Sequence, residues 1–315
     1  MKASIFRNFG SEFVMLLTNA TKSLHYQPSY AGGAEMADRK IQVIIMWAVL
    51  TVVFTAAGTF VPCELPLAFD WLHFFEGAHN MPSFYPPWAG LVCRWLPWPL
   101  LIGVTLSTYT VAVMKRARSV ASAVAAFVAM PLWWTLFLGQ LDGLAMLGIL
   151  GLPWLAPLAL IKPQIAGFAL LCRRKCLIVS VCFVLLSCLI WGFWPANFTS
   201  YHTEHLDAAK WPQYVTLGLW GLPASILALW LVPGWNEDKL MLAGSFITPA
   251  LVPYQLLPLM PAIARLPWWL AWLVALTSWL PVMSNWWGGV GWWLAWVSVA
   301  LLGAGLVRQD GLSRQ

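Results

Sequence analysis

Continuous apolar runs near 42–61, 88–112, 119–138, 176–194, 214–233, 267–283 and 290–307 dominate this chain, and the polar residues gather between them. Each run approaches the roughly 20 residues that a helix needs to cross a bilayer. The alternation over about 10 positions that marks a transmembrane barrel strand is not the pattern here. The runs predict an all-α polytopic membrane protein with about seven full spans plus short broken helices. Residues 1–41 are expected to form a cytosolic N-terminal segment, 42–307 a single transmembrane domain, and 308–315 a cytosolic tail. Within the first segment Phe6, Phe9, Phe13, Leu16 and Leu17 fall roughly on one face of Ile5–Leu17, the pattern of a helix lying on a membrane surface. Arg7 and Glu12 interrupt that apolar patch, which argues against a cleaved signal peptide.

Two regions do not fit whole spans. Between Gly139 and Arg173 lie 33 residues, about 50 Å of helix against a hydrocarbon core of roughly 30 Å. The surplus has to fold back. Gly151, Pro153 and Pro157 break the run, so three short helical pieces are expected, with Lys162 partway through the membrane. The stretch 240–264 carries Pro249, Pro253, Pro258 and Pro261 and reads as a broken hairpin that starts and ends on the cytosolic side. Irregular backbone survives at depth only where it is buried in protein or lines a watery cavity. Both regions therefore point inward, to a site.

Composition agrees with the pattern: 60% of the 315 residues are apolar and 10% charged, which excludes a water-soluble globular protein. The net charge of +6 reflects orientation. With the N terminus in the cytosol, fifteen of the eighteen Lys and Arg fall on the cytosolic side of the spans. Glu64, Asp70, Glu76, Asp142, Glu204 and Asp207 then lie in external segments. The charge surplus thus argues neither for nucleic acid nor for an acidic substrate. Cys93, Cys172, Cys176, Cys182 and Cys188 sit in apolar runs and Cys63 in an external loop, a distribution that offers no disulfide framework. Localisation follows: an integral membrane protein, of the plasma membrane if bacterial, with both termini cytosolic and the site facing outside.

Polar chemistry is sparse enough to weigh residue by residue. Asp70, His73, Glu76 and His79 recur every three residues, so a helix over Phe69–His79 would align them. The stripe lacks the His-Glu-x-x-His order of a zinc helix, and neither it nor the cluster His202, Glu204, His205 and Asp207 is expected to hold a metal. No Gly-rich phosphate loop or nucleophile elbow occurs. Charges within spans matter more, because each costs several kcal/mol at depth unless paired. Arg94 reads equally as a side chain reaching the outer interface or as a functional cation. Asp142 reads equally as a helix cap or as part of a site. Lys162, between Leu160 and Pro163 with no acid close in sequence, needs an anionic partner. Trp279, Trp286, Trp287, Trp292 and Trp293 cluster at one level and read as an interfacial belt.

Phe69 and Asp70 after the first span, Tyr85, Pro86, Pro87 and Trp88 opening the second, Gly139 and Gln140 after the third, and Lys162 and Pro163 closing a short apolar piece follow one another in a telling order. Over residues 42–175, with an echo around Tyr254, this order resembles the polytopic glycosyltransferases of the GT-C fold. It is most similar to glycosyltransferase family 87, the polyprenyl-phosphate-mannose-dependent mannosyltransferases. The loop between Asp70 and Tyr85 is shorter than in that family. The resemblance implies a GT-C-like bundle that moves a hexose such as mannose from a polyprenyl-phosphate donor to a hydroxyl of a lipid or glycan acceptor. The transfer would be inverting, would occur at the external face among membrane lipids, and would need no cofactor. Asp70 would be the catalytic base, and Lys162, Arg94 and Gln140 would bind the donor phosphate. Asp142, Glu76, His73, Tyr85 and Tyr254 would line the substrate site. The same broken helices and buried charges also suit a transporter or lipid scramblase, or an inactive GT-C-like subunit.

Overall fold

The computed structural model describes residues 33–78, 85–197, 212–232 and 234–312, and among these the regular structure is helical throughout. A chain with so little charge must satisfy its backbone groups internally, and a helix does so within one segment. The expected surface helix Ile5–Leu17, His79 and the cluster His202, Glu204, His205 and Asp207 lie outside the described residues.

Helix α1 (Gly33–Gly58) carries the first candidate span, Lys40–Gly58. The second run does not cross as one helix. Its two parts, α2 (Pro87–Trp95) and α3 (Trp98–Met114), meet at 109°. Pro97 has no N–H to continue the ladder and forces Leu96 out of the helical region, to φ −96° and ψ 103°. Thus α2 lies across the end of α3 instead of extending it. The third run bends by 42° between α4 (Val120–Val128) and α5 (Met130–Leu138), with Pro131 in the first turn of α5. Side chains take up the groups freed at this bend. Met130 N–H donates to Ser278 Oγ at 2.8 Å, and the indoles of Trp133 and Trp279 donate to the carbonyls of Phe127 and Val128.

The residues between Gly139 and Arg173 form the three short pieces expected: α6 (Asp142–Leu150), α7 (Ala156–Ala159) and α8 (Pro163–Ala169), the last running into a 3-10 turn, Leu170–Cys172. A helix long and apolar enough to cross a membrane follows as α9 (Arg174–Trp191). The run 214–233 yields only a 3-10 turn, Gly218–Gly221, and the ten-residue α10 (Leu222–Leu231). Its start is drawn out of helix because Val215 N–H bonds Leu251 O at 2.8 Å and Thr216 Oγ1 accepts from Leu251 N–H at 2.9 Å. The broken stretch appears where expected, as α11 (Glu237–Ile247), irregular backbone, and a 3-10 helix, Pro253–Arg265, with Pro258 and Pro261 inside it. The run 267–283 is also interrupted, α12 (Trp268–Thr277) giving way to a 3-10 turn around Pro281. Two short helices, α13 (Ser284–Trp287) and α14 (Gly289–Trp292), lead into α15 (Ala295–Leu312), and Gly289–Arg308 is again long and apolar enough to cross. The described residues therefore hold three candidate spans, or five if each bent pair counts as one, in place of the seven whole spans expected.

Two ends can be told apart. At one, the carboxylate of Asp238 lies between Arg116 and Arg265, each with a 2.8 Å contact, and Arg118 N–H bonds Ala264 O at 2.8 Å. Trp235 reaches Leu171 O beside them. At the other end Ala68 N–H bonds Phe137 O at 2.7 Å and Trp98 reaches Val61 O, around an aromatic core of Trp71, Phe75, Trp88 and Trp98. A larger core joins α3, α6, α8, α11 and α12 to the 3-10 helix Pro253–Arg265, which is buried along nearly all its length.

Candidate functional site

The chain arrives at the site from four separate segments. After α1 the backbone turns at Ala68, anchored to the end of α5 by the bond to Phe137 O, and Asp70 opens a π-helical turn, Trp71–Phe75. Single turns of this wide helix are frequent at functional sites. The second segment is the end of α5. Gly139 there has φ 76°, which only glycine adopts without strain, and a Cβ would stand 2.5 Å from that of Trp71. Absence of a side chain thus both turns the chain and brings Asp70 close to Gln140. Asp142 begins α6, but the capping position belongs to Leu141 and no side chain caps that helix, so the capping role is not what Asp142 performs. Lys162 precedes Pro163, which keeps it out of the helical region, at φ −132° and ψ 82°, at the start of α8. The fourth segment, the 3-10 helix Pro253–Arg265, brings Tyr254.

These side chains form one connected array. The ammonium of Lys162 donates to Asp142 Oδ2 at 2.8 Å and to Gln140 Oε1, and lies 4.8 Å from the centre of the Tyr254 ring. Gln140 Nε2 in turn donates to Asp70 Oδ2. Lys162, Gln140 and Asp142 are 4%, 5% and 2% exposed, whereas Asp70 is only partly covered. Burial pushes the Asp70 carboxyl above its ordinary range, and Lys162, the Gln140 hydrogen bond and His73 offset only part of that. Depth follows from chain length. From Lys162 to Arg173 the path is seven α-helical and three 3-10 residues, about 17 Å. The Lys162–Asp142 pair is therefore held well away from the basic end, inside the protein.

Five of the expected site residues thus come together: Asp70, Gln140, Asp142, Lys162 and Tyr254. Others do not join the array. Arg94 is exposed on α2, which packs on the turn after Asp70, and has no ion pair among the described residues. Tyr85 packs edge-on against Phe75 at 5.3 Å. His73 is exposed, donates to Phe69 O and stacks on the Phe69 ring, and Glu76 is exposed. The even stripe from Asp70 to Glu76 is not found, because the π turn changes the pitch and Gly77, at φ 62°, ends it. No group of three His, Cys, Asp or Glu able to hold a metal occurs among the described residues. Of the tryptophan belt, Trp286 and Trp287 are exposed, while Trp292 packs edge-on against Trp134 at 6.0 Å.

Sequence reasoning found that Lys162 needs an anion and did not name it. A signal was present: between Arg118 and Arg173 the chain holds only two charged residues, Asp142 and Lys162. It also missed Asp238, whose partners are far away in the chain. Comparison with family models, with curated proteins and with solved structures returns no match to this chain.

Proposed function

We propose that this protein is a membrane glycosyltransferase that takes a hexose from a polyprenyl-phosphate donor and passes it, with inversion, to an acceptor hydroxyl at the external face. One observation carries the reading: a partly open carboxylate, Asp70, is wired through Gln140 to a buried Lys162–Asp142 pair drawn from broken helices. Such an arrangement is expensive in an apolar protein and is retained for chemistry or transport. Of the hydrogen-bonded residues Asp70, Gln140, Asp142 and Lys162, Asp70 alone is partly open, as a base that meets a hydroxyl must be.

In the reaction the acceptor O–H gives its proton to Asp70 as its oxygen bonds the anomeric carbon. The bond from that carbon to the phosphate oxygen breaks, and the electron pair leaves with the lipid phosphate. Lys162 and Gln140, expected as phosphate ligands, are already engaged by carboxylates, so Arg94 is the cation left to meet the leaving group. Its place on α2, across the end of α3, suits a headgroup at the outer interface while the prenyl tail stays in lipid.

The test is release of polyprenyl phosphate from labelled polyprenyl-phosphate mannose and glucose by the purified protein in lipid nanodiscs. Asp70→Asn keeps shape and removes basicity, and its rate is expected to fall by a factor of about 100 to 10,000. Wild-type rate in Asp70→Asn, or no release from either donor by the native protein, overturns the proposal.

A further inference from the structure

The polarity of the array is fixed by its ends. Lys162 has only donors and an ionised Asp70 only acceptors, so the amide between them has one workable orientation, Oε1 toward Lys162 and Nε2 toward Asp70. Asp142 in turn fixes the ammonium at 2.8 Å, and the Tyr254 ring closes another side. With Oδ2 taken by Gln140, Oδ1 is the oxygen left for an incoming hydroxyl. Lys162 is also too enclosed, at 4% exposed, to meet a phosphate without giving up a carboxylate.

We propose that Asp142 and Lys162 are positioning residues for Asp70, acting through Gln140 to hold its carboxylate oriented, and that Lys162 is not a ligand of the donor phosphate. The proposal deepens the glycosyl-transfer reading and rests on it for the word catalysis, though the wiring itself stands on geometry alone. The groups whose charge reaches Asp70 are Lys162 and Asp142 from the broken region and His73 from its own turn. Lys162 and Asp142 act on it in opposite senses, the cation favouring the ionised carboxylate and the anion opposing it. Removing Lys162 therefore makes Asp70 harder to ionise, and removing Asp142 makes it easier. Loss of packing alone has no reason to reverse sign between the two.

The experiment reads Asp70 directly. Dicyclohexylcarbodiimide modifies protonated carboxyls in apolar surroundings, and the adduct on Asp70 is quantified by peptide mass spectrometry across pH for the full chain in nanodiscs. Lys162→Met is expected to move the half-labelling pH up by about one unit, the low end of what a neighbouring opposite charge lends a carboxylate. Asp142→Asn is expected to move it down. Lys162→Met leaves a buried carboxylate unpaired and risks misfolding, so the double variant Lys162→Met/Asp142→Asn, which buries no charge, is measured beside it. It is expected to shift upward by less than Lys162→Met. Shifts in one direction for both single variants, or none in the double variant, overturn the proposal.

Kinetics then separate the two roles of Lys162. A positioning role lowers kcat, moves the acid limb of the pH profile with the labelling, and leaves the donor KM unchanged. A donor KM raised tenfold or more with labelling unshifted makes Lys162 a phosphate ligand after all. Absence of transfer in the native protein sinks the glycosyl-transfer reading and leaves the labelling result standing.

Discussion

Buried charge is the strongest residue-scale feature of this protein, and Asp238 and the Lys162–Asp142 pair are each closed within a set of partners. Asp238 is 2% exposed between Arg116 and Arg265. Burial alone would raise its carboxyl, but the two guanidiniums more than reverse that and hold it below the ordinary carboxylate range. A depressed value means that the stabilisation is complete above the unfolded-state value and is lost as pH falls through the folded one. Asp238→Asn is expected to cost about 3 kcal/mol at neutral pH, the scale for breaking a buried ion pair from one side. Because the wild type loses this contribution in acid, the gap between the two proteins should narrow below about pH 4. Thermal unfolding in detergent at several pH values measures this, and a gap that widens in acid contradicts the assignment. Neither this triad nor the Lys162–Asp142 pair is written locally. Arg116 and Asp238 are 122 residues apart, and no spacing rule joins them. The sequence shows that Lys162 is in need, because cost at depth is a property of one residue, whereas the partner is a property of the fold.

Elements were legible where a length argument applied and misread where composition alone decided. The three pieces between Asp142 and Cys172 follow from a surplus of chain over membrane thickness. The runs 88–112 and 267–283 look like spans by apolar content, yet Pro97 and Pro281 interrupt them, and a proline outweighs any number of apolar neighbours because it removes the bond itself. Helix α1 is a different case: it packs chiefly on α3, through Thr51 to Ser107 at 2.7 Å and Trp47 to Thr108 at 3.0 Å. The approach is close because Gly103 has no side chain; a Cβ there would stand 2.1 Å from Thr55 Oγ1 and 2.9 Å from backbone atoms of Thr51 and Thr55. Cysteines at Thr51 and Ser107 should therefore cross-link under mild oxidation, and adding Gly103→Leu should abolish the cross-link. Undiminished cross-linking would mean that α1 is held by something other than this contact.

At the scale of the whole molecule, the distribution of charge remains the best guide to orientation. Lys115, Arg116, Arg118, Arg173, Lys239 and Arg265 belong to segments that meet at one end, and Asp70 with its array stands toward the other. If the basic end is cytosolic, a cysteine placed at the exposed Asn285 should react with an impermeant thiol reagent in intact cells, and one at the exposed Ser119 only after permeabilisation. Labelling at Ser119 in intact cells would invert the orientation and put Asp70 on the cytosolic side. The gathering of basic segments at one end was legible in the sequence, since it needs only a count of Lys and Arg. The number of full crossings was not, because it depends on where each broken helix turns back.

The hairpin closed by Asp142 and Lys162 bears on how the chain enters the bilayer during synthesis. A lysine or aspartate alone at the centre of an inserting helix costs about 3 kcal/mol each, enough to hold a short apolar segment out of the lipid. Here the two are joined by 19 intervening residues, and each cancels the burden of the other only when both are present. The stretch from Asp142 to Leu150 thus has every reason to wait at the translocon until Lys162 has left the ribosome, so that the buried pair and its surrounding helices are laid into the membrane as one piece.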